Sequence, residues 1–307
     1  MSCNMLVTGG GGYLGSVLVP LLLEQGHRVT VLDTFQHGCT LMEACRYDNF
    51  IPVKGDIRDE KLMKKLVAQQ DVIIPLAALV GAPLCAKDPS SAVNINQDAI
   101  AMMLSHLSAS QRVIYPSTNS GYGIGQKNVP CTESSPLHPI SLYGVTKAAA
   151  EKAVLQFGGV AFRLATVFGM SPRMRTDLLV NDFAFRAFCD GTLTVFEGHF
   201  KRNFIHIRDV AAAFVHALDN YSVMQGQCYN VGLSDANLSK LELCARIQHH
   251  IPSFIYQESP VGTDPDMRDY IVSNAKIEAT GFKAQWSLDR GIAELIRGYA
   301  MLGVLTR

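Results

Sequence analysis

Tyr143 and Lys147 stand four residues apart in Ser141-Leu142-Tyr143-Gly144-Val145-Thr146-Lys147. On a helix that spacing stacks both side chains on one face, one turn apart. Short polar turn residues precede them, and the strong helix-forming run from Ala148 to Leu155 follows. A phenol beside an ammonium is a proton-transfer pair, because the cation favours phenolate and draws the phenol down from its ordinary value of about 10. Just upstream, Pro116-Ser117-Thr118-Asn119-Ser120-Gly121-Tyr122-Gly123 offers hydroxyls at a strand end. Tyrosine and lysine at this spacing also occur on plain helix surfaces, so the elements around the pair decide its meaning.

The first of those elements is a glycine turn. Met5-Leu6-Val7 reads as a strand running into Thr8-Gly9-Gly10-Gly11-Gly12-Tyr13-Leu14-Gly15, and an apolar helix from Ser16 to Gln25 follows, closed by Gly26. Gly9, Gly12 and Gly15 let the backbone turn tightly, approach a pyrophosphate and pack on the strand, while the helix N-terminus meets the phosphate charge. Pro20 lies inside this helix and predicts a kink. A second strand, Arg28 to Leu32, ends in Asp33, eighteen residues past Gly15. An acid there accepts both ribose hydroxyls and repels a 2′-phosphate, and Thr34-Phe35-Gln36-His37 holds no cation to reverse this. The expected cofactor is NAD, in preference to NADP.

Strand and helix keep alternating. Strands are expected at Phe50 to Lys54, Asp71 to Leu76, Arg112 to Pro116 and Val160 to Leu164, with helices at Asp98 to Ser108 and Tyr143 to Phe157. This order implies an α/β fold with a Rossmann-type, doubly wound parallel sheet and right-handed crossovers. Ligands collect at the carboxyl ends of such strands, so Asp33, Asp56, Ala77, Ala78, Ser117, Thr118 and Thr166 should line one crevice. Past Thr166 the rhythm loosens. A basic turn, Ser171 to Arg175, leads into a helix from Leu178 to Asp190; strands at Leu193 to Phe196, Arg202 to Ile207 and Gln227 to Val231 precede a helix at Lys240 to His249. The stretch from Glu258 to Met267 reads as loop. The expectation is an NAD-binding domain over 1–166 and a smaller α/β substrate lobe over 167–307, with some segments returning to the sheet.

Of the 307 residues 48% are hydrophobic and 18% charged, an ordinary globular balance, and the formal net charge is +0. Nucleic acid or an anionic membrane therefore has no electrostatic footprint here. Eight cysteines, Cys3, Cys39, Cys45, Cys85, Cys131, Cys189, Cys228 and Cys244, form no CxxC and no zinc-like spacing, so no metal is expected. His249-His250 is expected to face solvent. The most apolar run, Val72 to Leu84, is broken by Pro75, Gly81 and Pro83 and falls short of the roughly 20 residues a bilayer requires. With no secretion signal in the N-terminal residues, a cytoplasmic location is expected.

Assembled in this order, the chain resembles the extended short-chain dehydrogenase/reductases, in their nucleotide-sugar epimerase/dehydratase branch. The resemblance rests on the glycine turn, Asp56-Ile57, Leu76-Ala77-Ala78, Asn94, Ser117-Thr118, Tyr143 to Lys147, Arg163 to Gly169, Arg202 to Asp209, Tyr229 to Gly232 and Arg268-Asp269-Tyr270. Three further blocks, Ile73 to Cys85, Thr118 to Gly125 and Ser171 to Arg175, are similar to the GDP-heptose 4-dehydrogenases of bacterial surface-polysaccharide pathways.

The resemblance implies roles. Tyr143 would be the general base at the sugar C4 hydroxyl, Lys147 would hold the nicotinamide ribose and lower the Tyr143 pKa, and Thr118 would hydrogen-bond the reacting oxygen. Gly9, Gly12, Tyr13, Leu14, Gly15, Asp33, Asp56, Ile57, Leu76, Ala77, Ala78 and Asn94 would line the cofactor. Asn119, Thr166, Arg173, Asn181, Arg202 and Arg268 would face the substrate, with Arg202 and Arg268 on its pyrophosphate and Arg173 and Arg175 as alternatives to them. The departures matter as much. Dehydratases follow the catalytic Thr with acidic residues; Asn119 and Ser120 stand there and cannot serve as acid and base, so elimination and decarboxylation are disfavoured. The cysteine of C3 or C5 epimerases is missing from this turn, and Thr166 replaces the family's usual Asn. What remains is oxidation at C4 of a nucleotide-diphosphate sugar, ending at the 4-keto sugar or returning the hydride as a 4-epimerase. A non-catalytic NAD-binding protein is disfavoured by the intact Thr118, Tyr143 and Lys147. Helices from Asp98 and Tyr143 are apolar on more than one side (Ala101, Met102, Met103, Leu104; Ala148, Ala149, Ala150, Val154), which suggests a homodimer through a four-helix interface.

Overall fold

The computed structural model describes residues 2–38, 40–261 and 268–302; Cys39 and the 262–267 part of the expected loop lie outside them. The first half supplies β1 (Asn4–Thr8), β2 (Arg28–Asp33), β3 (Phe50–Lys54), β4 (Val72–Pro75), β5 (Arg112–Thr118) and β6 (Val160–Leu164). Between them run α1 (Gly15–Glu24), α2 (Glu60–Val67), α3 (Ala82–Lys87), α4 (Pro89–Val93), α5 (Ala99–Ser105) and α6 (Leu142–Phe157). Strands such as β4 are buried along their whole length. That is why they read as unbroken apolar runs: helices cover both faces of the sheet.

The second half supplies β7 (Thr166–Phe168), α7 (Leu179–Cys189), β8 (Thr192–Val195), β9 (Lys201–His206), α8 (Ile207–Asp219), α9 (Tyr221–Met224), β10 (Cys228–Val231), β11 (Asn237–Ser239), α10 (Lys240–His250), β12 (Ile255–Glu258), α11 (Ala275–Glu278) and α12 (Leu288–Met301). β10 returns to the large sheet beside β6. The order is β10-β6-β5-β4-β1-β2-β3, every neighbouring pair parallel. Two small sheets, β11-β9-β7 and β12-β8, stand apart from it. One core packs Leu18, Leu22, Phe162 and Phe214 on one face of the large sheet, and Met103, Tyr115 and Val154 fill the other. A third core, with Phe183, Phe254, Leu295 and Tyr299, joins α7, α10 and α12.

The structure departs from the sequence expectation in its helices. The helix expected from Asp98 is the end of a longer helical stretch that starts at Pro89, where Asp88 caps α4 by accepting from Ser91 N at 3.0 Å. It passes through one π turn, Asn94–Asp98, and stops at Ser105. Ile207 opens α8 rather than closing a strand, with His206 accepting the Arg208 N–H as its cap. α1 continues to Glu24 with Pro20 inside it.

Candidate active site

The carboxyl ends of β1, β2 and β4 form the first wall. Gly9 adopts φ 69°, and a Cβ there would stand 2.5 Å from the Ala77 nitrogen, so only glycine lets the turn lie against the end of β4. At Gly15 a Cβ would meet the Gly10 Cα at 2.5 Å, which fixes the close packing of α1 on the turn. α1 begins at Leu14 without a side-chain cap, leaving its N-terminal end to an incoming anion. Asp33, at the end of β2, accepts from Gly11 N at 2.9 Å and Phe35 N at 2.7 Å. These bonds aim its carboxylate across the turn.

The other cofactor-side residues divide. Ile57 is buried, and Leu76, Ala77 and Ala78 are half-buried beyond β4, where Leu76 N and Ala77 N donate to the Thr8 carbonyl and hydroxyl. Asp56 is gripped by Arg58 through both oxygens, at 3.0 and 2.6 Å. Asn94 is exposed and reaches Ser90 Oγ at 3.4 Å. The Tyr13 hydroxyl donates to the Gly169 carbonyl at 2.7 Å and accepts from Asn181 Nδ2 at 3.1 Å. Asn181 is wholly buried, and its amide also holds Gly169 N and the Arg175 carbonyl. Two residues expected to touch ligands therefore bind each other, and together they fasten the glycine turn to the segment carrying Arg173 and Arg175.

The second wall is β5 and α6. Ser141 caps α6 by accepting from Gly144 N at 3.2 Å, which sets Tyr143 in the first helical turn beside the end of β5. There the Thr118 hydroxyl comes within hydrogen-bonding reach of the phenol. Thr118 also bonds Ser120 Oγ at 2.9 Å, and Arg268 donates to that same Ser120 oxygen. Tyr143 is half-buried as a residue, yet desolvation of the phenol pushes its pKa up to about 12, opposed by the charges of Arg268 and Arg175 and by the Thr118 hydrogen bond. Arg268 and Arg175 are thus cations that favour the phenolate beyond the Lys147 of the sequence expectation. The ammonium of Lys147 sits 4.1 Å from the centre of the Tyr115 ring, and burial pulls its own pKa down to about 7 against the pull of Glu151. Among the described residues Lys147 Nζ donates no hydrogen bond, which leaves its three protons for a ligand. With the glycine turn and Asp33, this free donor makes a site that fits a dinucleotide.

On the substrate side, Arg202 is buried over the Tyr270 ring and donates to the Lys201 carbonyl. Arg173 is half-buried and donates to the Met174 carbonyl, while Arg175 pairs with Asp177 at 2.6 Å. Thr166 opens β7, half-buried, in register with Phe204. Asn119 is 1% exposed, and among the described residues neither its amide nitrogen nor its amide oxygen has a partner. Among the described residues no cluster of His, Cys, Asp or Glu could hold a metal ion, and no helix is long and apolar enough to cross a membrane.

Sequence reasoning missed three features. Asn96, rather than its neighbour Asn94, is the buried asparagine that ties Leu79, beyond β4, to Thr146 of α6. His206 is fully buried between Trp286, stacked at 4.2 Å, and Glu294, bonded at 2.7 Å. Glu151 lies buried one turn past Lys147, in a bidentate pair with Arg163. Continuing the four-residue step from Tyr143 through Lys147 would have reached Glu151. Nothing local in the sequence signals the other two.

The sequence pattern of the NAD dependent epimerase/dehydratase family matches residues 5–232. The chain is 30% identical to the low-salt glycan biosynthesis protein Agl12 of Haloferax volcanii, over 96% of this chain and 98% of that protein. It is 28% identical to a UDP-glucose 4-epimerase of Corynebacterium glutamicum, over 80% of this chain and 81% of the relative. In fold it is similar to the UDP-glucuronic acid 4-epimerase of Bacillus cereus, solved with NAD and a fluorinated substrate analogue. There the TM-score is 0.86 at 23% identity, covering 97% of this chain and 99% of that one.

Proposed function

Because the chain belongs to the NAD-dependent epimerase/dehydratase family, we propose that this enzyme oxidises C4 of a nucleotide-diphosphate sugar, of GDP-heptose type, to the 4-keto sugar. The observation that carries the reading is the meeting of Thr118, Tyr143 and a hydrogen-bond-free Lys147 at the same sheet edge as the glycine turn and Asp33. NAD, when bound, accepts the hydride that leaves C4. Tyr143 takes the C4 hydroxyl proton, so the O–H and C–H bonds break as the carbonyl forms. Thr118 steadies the reacting oxygen, and Lys147 holds the ribose. Arg268, whose charge favours ionisation of Tyr143, would also meet substrate anionic oxygens, with Arg202 as its companion on the pyrophosphate. Asn119 and Ser120 supply no acid for elimination, which leaves the 4-keto sugar intact.

A 4-epimerase is the second reading, favoured by the naming of the Corynebacterium glutamicum relative. Both use the same three residues. Incubation with NAD and a panel of nucleotide sugars, GDP-heptose included, separates them. NADH absorbance rising with a 4-keto product supports oxidation, a new C4 epimer without NADH supports the alternative, and no change with any sugar overturns both. We also propose a cytoplasmic homodimer joined through α5 and α6, whose exposed Ala101 and Val145 lie on the outer face.

A further inference from the structure

Tyr143 and Lys147 are the first two members of a longer stripe. Glu151 follows Lys147 by four residues, as Lys147 follows Tyr143, so the three lie in a row along one face of α6. Glu151 is 3% exposed, and its carboxylate is fixed from two strands. Ser117 of β5, next to Thr118, donates to it at 2.5 Å, and Arg163 of β6 donates from Nε at 3.0 Å and from Nη2 at 2.7 Å. Lys147, also 3% exposed, lies over the Tyr115 ring and feels the Cys85 thiol of α3, with Asn96 behind Thr146. Glu151 is thus the one carboxylate among the groups that act on Lys147.

We propose that Glu151 is a positioning residue for the reaction, whose clamped carboxylate keeps the Lys147 ammonium protonated so that it can hold the cofactor ribose. The proposal rests on the roles given above to Lys147 and NAD. A carboxylate that only closed an ion pair with Arg163 would need neither the Ser117 bond nor a place one turn from Lys147. Burial already takes Lys147 down to about 7, against the pull of Glu151, so little margin remains at neutral pH. Arg163 holds the Glu151 carboxylate in place through Nε and Nη2.

The test is calorimetric titration of the full-length protein with NAD across pH, which needs no substrate and so stands apart from the identity of the sugar. In Glu151→Gln the pH at which NAD binding weakens should fall by about one unit, making binding roughly five- to tenfold weaker just above neutrality. Glu151→Asp should recover part of that loss. An unshifted midpoint, whatever happens to the melting temperature, overturns the proposal. If the single variant does not fold, Glu151→Gln with Arg163→Gln removes both charges of the pair, a change proteins often tolerate; the same downward shift is expected and its absence is equally decisive.

Discussion

Lys147 should cost this protein stability that its chemistry requires, and Lys147→Met measures that cost. The side chain is 3% exposed, donates no hydrogen bond among the described residues, and has its pKa lowered from 10.5 to about 7. A shift of that size corresponds to about 5 kcal/mol of penalty on the charged form at most. Methionine keeps the apolar stem but forfeits the contact with the Tyr115 ring, about 2 kcal/mol. The net gain for the variant is therefore about 1–3 kcal/mol without NAD, or roughly 2–6 °C in Tm. The sign with pH follows from proton uptake. Below about 7 the folded protein carries Lys147 charged and bears the whole penalty; between there and 10.5 the unfolded chain holds a proton that the folded one has released, so wild-type stability rises with pH. The advantage of Lys147→Met should be largest in mild acid and fade as pH climbs towards 10.5. Denaturant melts of both proteins at several pH values decide it. A variant less stable than wild type in mild acid, or an advantage that does not shrink with pH, would refute the reasoning.

Asp33→Ser removes the carboxylate that accepts from Gly11 and Phe35. NAD should bind about ten- to a hundredfold more weakly, with NADP gaining relative to it; calorimetry with both dinucleotides checks this, and an unchanged ratio speaks against Asp33 as the ribose acid. Burial works to raise the Glu294 pKa, but hydrogen bonds from His206 and the Met170 N–H, with the charges of His206 and Arg208, bring it from 4.5 to about 2. Its stabilisation, up to about 3 kcal/mol, should be complete above 4.5 and drain away as pH falls towards 2. In Glu294→Gln the acid unfolding profile should be flatter across that window, and an identical slope would show that the acid sensitivity lies elsewhere.

The sheet was legible because its strands are local apolar runs ending at Asp33, Ala77 and Thr118, and because glycine spacing is a backbone constraint written directly in the chain. Gly9 is the clearest case, since the contact with Ala77 forbids any side chain. α8 and α12 were not legible as site elements, because their value is tertiary: they bring His206, Asp209 and Glu294 around Trp286, where Asp209 accepts the Gln285 and Trp286 N–H groups. The same holds for Tyr13 and Asn181. The resemblance marked both as ligand-facing, yet each satisfies polar atoms on the other, a partner 168 residues away. The electrostatics of Tyr143 were legible only in part, because sequence proximity names Lys147 alone while the fold adds the charges of Arg268 and Arg175.

The central claim is that Tyr143, ionised to its phenolate, removes the C4 hydroxyl proton as hydride leaves C4. Single-turnover formation of NADH by Tyr143→Phe, loaded with NAD and a substrate that the wild type oxidises, tests it most directly. The expected result is unchanged NAD affinity with oxidation slowed by about 10²–10⁴-fold. Oxidation at the wild-type rate would contradict the claim.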